Sequence, residues 1–212
     1  MSDNPLHKIS MLPPREHESL HHSLRRLIDL SLRLETVPAD LGERIDGVRT
    51  QIDALCEVLE PKALSDGFPR MGRDTEPDGR RPYYVESPFV GDHNATIAPV
   101  KVEYVDGVTR GTVTYGVAYE GPPSCVHGGT VAQLFDQLLG YQNWAAGLPA
   151  PTASLTIHYR KMTPLFEELN FKAWRERRDG RKLYICGELR HKNELLAEAE
   201  ALFIVSASVA DS

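Results

Sequence analysis

Apolar residues in the first third of the chain recur at helical spacing in two successive segments. In the first, residues 20–34, leucine and isoleucine recur at three- and four-residue intervals. The second has the narrow apolar seam of a coiled coil, with alternating steps of four and three residues between Leu41, Ile45, Val48, Ile52, Leu55 and Leu59. The pattern predicts an N-terminal arm and a helical hairpin over residues 1–60, with the hairpin packed on the main domain or on a partner subunit.

Residues 61–82 interrupt the periodic pattern. They mix four prolines and three glycines with charged side chains, a composition that disfavours both helix and strand. This segment is predicted to be a linker or a mobile surface loop, which would leave residues 83–212 as the main domain.

Beyond residue 83, apolar and polar positions mostly alternate, which is typical of strands with one buried face. One helix is predicted over about residues 128–146. Strands are predicted at residues 98–104, 111–119, 152–159, 169–177, 182–189 and 194–205. One long helix among mostly antiparallel strands defines an α+β architecture, in which the helix covers the buried face of the sheet.

The charge balance and the cysteines narrow the function classes. The 212 residues include 24 Lys and Arg against 30 Asp and Glu, a formal net charge of −6, whereas proteins that bind nucleic acid are usually basic. We therefore expect no nucleic-acid partner. Because no apolar run is long enough to cross a bilayer and no secretory leader is evident, we expect no membrane partner and a cytoplasmic location. Three cysteines without a C-x-x-C pair give no metal-binding pattern, so we expect no metal and no other cofactor.

The predicted helix carries a carboxylate on a face lined with small residues. At about 100° per residue, Asp136 lies about 140° from the apolar stripe residue Val131. Its neighbours on that side are Gly129, Ala132 and Gly140. Small residues leave room for a ligand or a second chain. Asp136 is either a general base or nucleophile acting on a carbonyl group, or a solvated surface residue.

The start of the helix offers a second chemical group. Gly128 and Gly129 leave backbone N–H groups uncovered at the positive end of the helix dipole, where a carbonyl oxygen that gains negative charge would be stabilised. The simpler interpretation is that the two glycines only form a turn.

Three sequence features occur together here. His127-Gly128-Gly129 is followed after six residues by Asp136, residues 152–159 form a strand with Pro164 beyond it, and a C-terminal hairpin runs through residues 197–203. Together they resemble the hotdog-fold acyl-CoA thioesterases of the PaaI-like group, and the likeness covers about residues 95–205. The resemblance implies an α+β hotdog fold, an antiparallel sheet wrapped around one long helix, with an N-terminal helical extension. It also implies hydrolysis of acyl-CoA thioesters to a free acid and CoA.

The resemblance implies roles for the residues of the helix. Asp136 would be the catalytic carboxylate, acting as general base on water or as nucleophile on the thioester. The Gly128 N–H would polarise the thioester carbonyl, and Gly129 would contribute to substrate binding. His127 would lie at the mouth of the site and either bind the substrate or brace the loop. Some relatives carry an asparagine shortly before the histidine, and residues 120–125 contain none.

The resemblance also implies roles on the following strand. Thr152, or Ser154 on the same strand face by the two-residue period, would position the attacking water. Because the family's sites lie at a dimer interface, Thr152 would meet Asp136 of the opposite subunit, in a homodimer or a dimer of dimers. Arg160 and Lys161 would bind the phosphates of CoA, or be a solvated strand end.

Two other functions are compatible with the same fold. One is hydration or dehydration of acyl thioesters, for which a common acid–base spacing is not met because Tyr141 stands five residues after Asp136. The other is non-catalytic binding of acyl-CoA, or a scaffold role. The sequence does not determine the substrate in detail. It leaves open the length of the acyl chain, whether the acyl group is aromatic or aliphatic, and whether the thioester is to CoA or to a carrier protein.

Overall fold

The computed structural model describes residues 15–62 and 94–205. The first fourteen residues of the predicted arm, residues 63–82 of the predicted linker and residues 83–93 lie outside the described ranges, as do residues 206–212. No helix within the described ranges is long and apolar enough to cross a membrane. The elements are α1 (Arg15–Ser31), α2 (Ala39–Leu59), β1 (Val100–Val105), β2 (Val108–Thr114), α3 (Gly128–Ala145), β3 (Thr152–Tyr159), β4 (Glu168–Asp179), β5 (Lys182–His191) and β6 (Glu194–Ile204).

An antiparallel sheet wraps around α3. The strand order is β1-β2-β4-β5-β6-β3, so β1 and β3 are the two edges. Residues of α3 and of the alternating positions on one sheet face form a single buried core. The predicted hotdog fold with N-terminal helices is therefore confirmed.

The contact between α3 and the sheet is close and apolar. Phe135 and Leu139 of α3 are fully buried, as are Ile185 and Leu189 of β5. Between these two strand residues lies Gly187, where a Cβ atom would come 2.9 Å from Leu139 Cδ2. A side chain at this position would push the helix off the sheet. Burying each large apolar side chain contributes about 1.5–3 kcal/mol to folding.

The second strand differs from its prediction. It starts at Val108, because Asp106 and Gly107 with φ values of 52° and 81° form a two-residue turn of the tightest hairpin type. It ends at Thr114 rather than at residue 119, and a 3-10 turn follows over Val117–Tyr119. The chain leaves the sheet here, and α1 packs against the 3-10 turn.

Polar side chains of α1 bind backbone groups of the sheet domain. Asp29 Oδ1 accepts a hydrogen bond from the Val117 N–H at 3.2 Å. Arg25 donates from Nε to the Ile97 carbonyl at 3.1 Å and from Nη2 to the Asn94 carbonyl at 2.9 Å. These contacts satisfy backbone N–H and carbonyl groups that have no partner in the sheet, and they fix α1 on the domain.

The second helix is not held in this way. Within the described part of the chain, α2 makes no extensive packing contact with α1 or with the sheet. Five residues of its predicted seam, Ile45, Val48, Ile52, Leu55 and Leu59, are between 38% and 48% exposed. The first predicted helix therefore packs on the main domain, whereas packing of the second on a partner subunit, the other predicted arrangement, stays a prediction.

Replacing Gly116 with alanine is expected to loosen α1. The added methyl group would lie 2.5 Å from Asp29 Oδ1, so the carboxylate must move away from the Val117 N–H. We expect the free energy of unfolding to fall by about 1 kcal/mol, the typical net value of one hydrogen bond. Amide hydrogen exchange in α1 should accelerate, as measured by mass spectrometry.

Two variants of the acceptor serve as controls. Asp29→Ala should reproduce the faster exchange of α1, whereas Asp29→Asn keeps an acceptor oxygen and should change it little. Unchanged exchange in both Gly116→Ala and Asp29→Ala would show that this contact does not hold α1.

Candidate active site

The first turn of α3 is capped by the histidine that precedes it. His127 Nδ1 accepts a hydrogen bond from the Gly129 N–H at 3.0 Å, and the His127 N–H donates to the Tyr119 carbonyl at 2.8 Å. A neutral imidazole whose Nδ1 is an acceptor carries its proton on Nε2. The Nδ1 contact agrees with the loop-bracing role of His127, and the Nε2–H is a donor on an exposed side chain, so the predicted substrate contact stays a prediction.

One amide at this helix start keeps its donor capacity. The Gly129 N–H is engaged by His127, so the predicted substrate contact through this amide is not available. The Gly128 N–H has no acceptor among residues 15–62 and 94–205. It lies at the positive end of the helix dipole. Tyr159, which sequence reasoning missed, donates from its hydroxyl group to the Gly128 carbonyl at 2.8 Å.

The catalytic candidate on α3 contacts the start of β3. Thr152 Oγ1 donates to Asp136 Oδ1 at 3.0 Å, within one chain. The expectation that Thr152 meets Asp136 of the opposite subunit is therefore corrected: the two residues pair within a single subunit. The pairing follows from the register, because Thr152 lies opposite Phe203, which is fully buried on the helix side of the sheet.

The prediction that Ser154 shares a face with Thr152 is wrong. Thr152 pairs with Phe203 and Ser154 with Leu202, so two steps along β3 correspond to one step along β6. This β-bulge at Ala153 shifts the alternation by one residue. Ser154 therefore lies on the sheet face that points away from α3 and Asp136.

A cavity of about 380 Å³ opens beside the carboxylate. Asp136, Gly140 and Trp144 follow one another at four-residue steps, so they line it from one face of α3. The opposite wall consists of Phe203 and the segment 149–152. Apart from Asp136 and Thr152, the lining side chains are apolar or absent, which suits a hydrocarbon or aromatic group.

The two chemical groups of α3 are far apart along the helix. Gly128 and Asp136 are separated by eight residues, which corresponds to about 12 Å at 1.5 Å per residue. A nucleophile must come within about 3–3.5 Å of the carbonyl carbon that it attacks. Within one chain, a carbonyl group that accepts a hydrogen bond from the Gly128 N–H is thus too far from Asp136 for direct attack by the carboxylate.

The two predicted phosphate ligands at the end of β3 are in ion pairs. Arg160 Nε donates to Glu198 Oε1 at 3.0 Å, and Lys161 Nζ forms an ion pair with Glu194. All four side chains are exposed, so these pairs are weak and a phosphate group can compete for the cations. Neither residue faces the cavity beside Asp136.

Metal-ligating side chains do not gather at this site. Across residues 15–62 and 94–205, no three His, Cys, Asp or Glu side chains lie close enough together to hold a metal ion. The groups that the fold does bring together are a carboxylate, a hydroxyl group and an apolar cavity. Such an arrangement can bind an apolar group and present a base or nucleophile next to it.

Comparison with known proteins assigns the family. The family model described as thioesterase superfamily matches residues 124–198. A crystal structure of a thioesterase superfamily protein is 30% identical to this chain with a TM-score of 0.74, and the match covers 92% of this chain and 94% of that one. The chain belongs to the thioesterase superfamily, and the predicted hotdog-fold thioesterase is confirmed at the level of the family.

Curated relatives match about two fifths of the chain. The acyl-coenzyme A thioesterase THEM4 of Mus musculus is 35% identical over 91 residues, which are 42% of this chain and 39% of that protein. The THEM4 of Xenopus laevis is 34% identical over 91 residues, which are 42% of this chain and 41% of that protein. The chain thus spans about two fifths of the length of these curated relatives.

Proposed function

We propose that this protein hydrolyses acyl-CoA thioesters to a free acid and CoA. The observation that carries the proposal is the pairing of Asp136 with Thr152 at the wall of an apolar cavity. Membership of the thioesterase superfamily and the name of the THEM4 relatives support the reaction and the substrate class. The residue roles below extend this proposal to the described geometry.

Asp136 supplies the base or the nucleophile. The Thr152 hydroxyl group occupies Oδ1 and fixes the carboxylate, which leaves Oδ2 for the reaction. As general base, Asp136 takes a proton from water while the water oxygen bonds to the thioester carbon, and the C–S bond then breaks to release the CoA thiolate. As nucleophile, Oδ2 displaces the thiolate to form an anhydride, which water hydrolyses to the acid and the free carboxylate.

The Gly128 N–H stabilises the carbonyl oxygen. In either route this oxygen gains negative charge as the carbonyl carbon becomes tetrahedral. The hydrogen bond from a preorganised N–H at a helix N-terminus is strongest in that state. The Nε2–H of His127, held by its Nδ1 contact with Gly129, is the second donor of this loop. It stands in for the asparagine that residues 120–125 lack.

The active site is completed by a second copy of the chain. Since the Gly128 N–H and Asp136 are about 12 Å apart on one helix, the amide of one subunit serves the Asp136–Thr152 pair of the other. Such an arrangement needs the two α3 helices side by side and antiparallel. The β3 edge supports it, because its outer hydrogen-bonding side is unpaired within the described residues and most of its side chains are exposed.

The acyl group occupies the cavity along α3. From Asp136 the cavity passes Gly140, where the absence of a side chain leaves the passage open, and reaches Trp144. The two ends are eight residues or about 12 Å apart. Binding an acyl group there removes apolar surface from water and aligns the thioester with the carboxylate.

Asp136→Asn is expected to lower turnover by about 10²- to 10⁴-fold, the usual contribution of a general base. The amide has nearly the same shape but neither takes a proton nor attacks the thioester. Thiol release is measured with acyl-CoAs from C2 to C18 and with phenylacetyl- and benzoyl-CoA. The same substitution in the β1–β2 turn, Asp106→Asn, is the matched control and should leave the rate unchanged.

Two outcomes of this assay would overturn the proposal. Equal turnover by the wild-type protein and Asp136→Asn would remove Asp136 from the reaction. Tight acyl-CoA binding without turnover in the wild-type protein would instead support a non-catalytic binding protein.

Thr152→Val is expected to reduce kcat about tenfold, since the net value of one hydrogen bond is about 1–1.5 kcal/mol. Valine keeps the volume of threonine but donates no hydrogen bond to Asp136. Thr152→Ser retains the hydroxyl group and should restore most of the rate. If valine proved as fast as the wild-type protein, the hydrogen bond to Asp136 would contribute nothing to turnover.

Gly140→Leu is expected to shorten the range of accepted acyl groups. The side chain would fill the middle of the cavity, so long-chain acyl-CoAs should lose at least about tenfold in kcat/KM, as expected when apolar burial of a few methylene groups is lost. Acetyl-CoA, which does not reach Gly140, should keep its rate. A uniform loss over all chain lengths would argue that the acyl group lies elsewhere.

A further inference from the structure

Tyr159 of β3 contacts the start of α3, and the proposed reaction gives it no role. Its hydroxyl group donates to the Gly128 carbonyl at 2.8 Å. Its ring lies beside the same residue, where an added Cβ would come 3.6 Å from ring atoms Cε1 and Cζ. The side chain is 53% exposed, so water could satisfy the hydroxyl group equally well. The contact therefore calls for an explanation other than burial.

The Gly128 carbonyl and the Gly129 N–H are the two ends of one peptide group, and both ends are bonded. Tyr159 donates to the oxygen, while His127 Nδ1 accepts from the N–H at 3.0 Å. Because a carbonyl oxygen has two lone pairs, the contact with Tyr159 leaves one of them for the hydrogen bond within the helix. Hydrogen bonds in series polarise one another, so a donor at the oxygen makes the N–H a stronger donor to His127.

The imidazole of His127 extends this series by one more bond. Its Nδ1 is an acceptor only in the tautomer that carries the proton on Nε2. A stronger hydrogen bond at Nδ1 favours this tautomer and draws electron density from the ring, which makes the Nε2–H a stronger donor. The Nε2–H has no acceptor within residues 15–62 and 94–205. It is the group that the proposed reaction directs at the thioester oxygen.

Two backbone contacts hold His127 in the position that the series requires. Its N–H donates to the Tyr119 carbonyl at 2.8 Å. On the other side lies Gly121, where an added Cβ would come 2.7 Å from His127 Cα and 3.2 Å from His127 Cδ2. The main chain, the Nδ1 atom and the Cδ2 edge of this histidine thus all contact the protein. The Nε2–H is the polar group that is left to bind a ligand.

We propose that Tyr159 is a positioning residue that acts on the substrate through His127. Its hydroxyl group, the peptide group between Gly128 and Gly129, and the imidazole form a series of hydrogen bonds that ends at the Nε2–H. The series selects the tautomer that donates from Nε2, and it strengthens this donor when the thioester oxygen gains negative charge. No proton moves along it. The role in turnover rests on the proposed hydrolysis, whereas the state of the imidazole can be measured without substrate.

Nitrogen NMR of isotope-labelled histidine side chains tests the series in the full-length protein. Spectra of the wild-type protein and of Tyr159→Phe are recorded at about pH 8.5, where a free imidazole is neutral. The signals of His127 are identified by their absence in His127→Gln. The wild-type protein should show His127 as one tautomer, with the proton on Nε2. Tyr159→Phe should shift the Nδ1 signal toward that of the other tautomer, and the Gly129 amide proton toward weaker hydrogen bonding.

The same substitution on β5 is the matched control. The ring of Tyr184 lies 3.4 Å from the Arg177 guanidinium, and its hydroxyl group has no hydrogen bond to the described residues. Tyr184→Phe should therefore leave the His127 signals unchanged. Unchanged signals in Tyr159→Phe as well, or an equal shift in both variants, would overturn the proposal. Circular dichroism shows whether both variants keep the wild-type fold.

A double-mutant cycle measures whether Tyr159 acts through His127 in turnover. Tyr159→Phe should lower kcat about fivefold and leave KM within about twofold, as expected for the loss of one hydrogen bond that acts in the transition state. In a His127→Ala background it should lower kcat by less than about 1.5-fold, because the series no longer ends in a donor. A fivefold loss in both backgrounds, or no loss in either, would overturn the proposal.

The two measurements separate this proposal from the proposed hydrolysis. A tautomer shift in Tyr159→Phe, with no acyl-CoA turnover by the wild-type protein, would support the series of hydrogen bonds and refute the hydrolysis. Turnover that depends on Asp136, with no effect of Tyr159→Phe on kcat or on the His127 signals, would support the hydrolysis and refute the series.

Discussion

The contact of α3 with the sheet is the constraint on which the other features depend. Burial of Phe135 and Leu139 against the sheet fixes the rotation of the helix about its axis. The residue after Phe135 is thereby turned about 100° away from the core, toward the edge where β3 begins. Gly187 sets the distance of closest approach. The position of Asp136 beside Thr152 is therefore a consequence of core packing, and no loop has to hold the carboxylate.

Hydrophobic periodicity predicted the helices and strands of the main domain because each has a buried face. It could not predict which residues of neighbouring elements lie opposite each other. The helix at residues 128–145 and the strand at 152–159 follow from apolar spacing alone. The bulge at Ala153 was not predicted, because one extra residue leaves the alternation of apolar and polar positions along the strand unchanged. The roles of Tyr159 and Trp144 were not predicted, because their contacts arise only when β3 and α3 lie side by side. Asp136 became a candidate because a charged residue beside small ones on an amphipathic helix is visible in sequence, and its catalytic role came from the family resemblance.

The N-terminal helices contribute to the molecule in two different ways. Asp29 of α1 accepts a hydrogen bond from the Val117 N–H. Two residues later, the Tyr119 carbonyl accepts one from the His127 N–H. Through the 3-10 turn at Val117–Tyr119, these two hydrogen bonds connect α1 with the loop before α3. The next helix, α2, has no such bonds to the domain among the described residues, and its apolar seam is exposed there.

The bulge at Ala153 divides β3 into two parts in which the inward-facing side chains follow different alternation. Before it, the residue facing α3 is Thr152; after it, the inward residues are Leu155, Ile157 and Tyr159, at odd rather than even positions. A one-residue insertion or deletion between Thr152 and Leu155 would therefore exchange the polar and apolar sides of the strand on one side of the change. The loop before Thr152 is under no such restriction. Length variation among related chains should consequently accumulate before this strand and be absent from its first three residues.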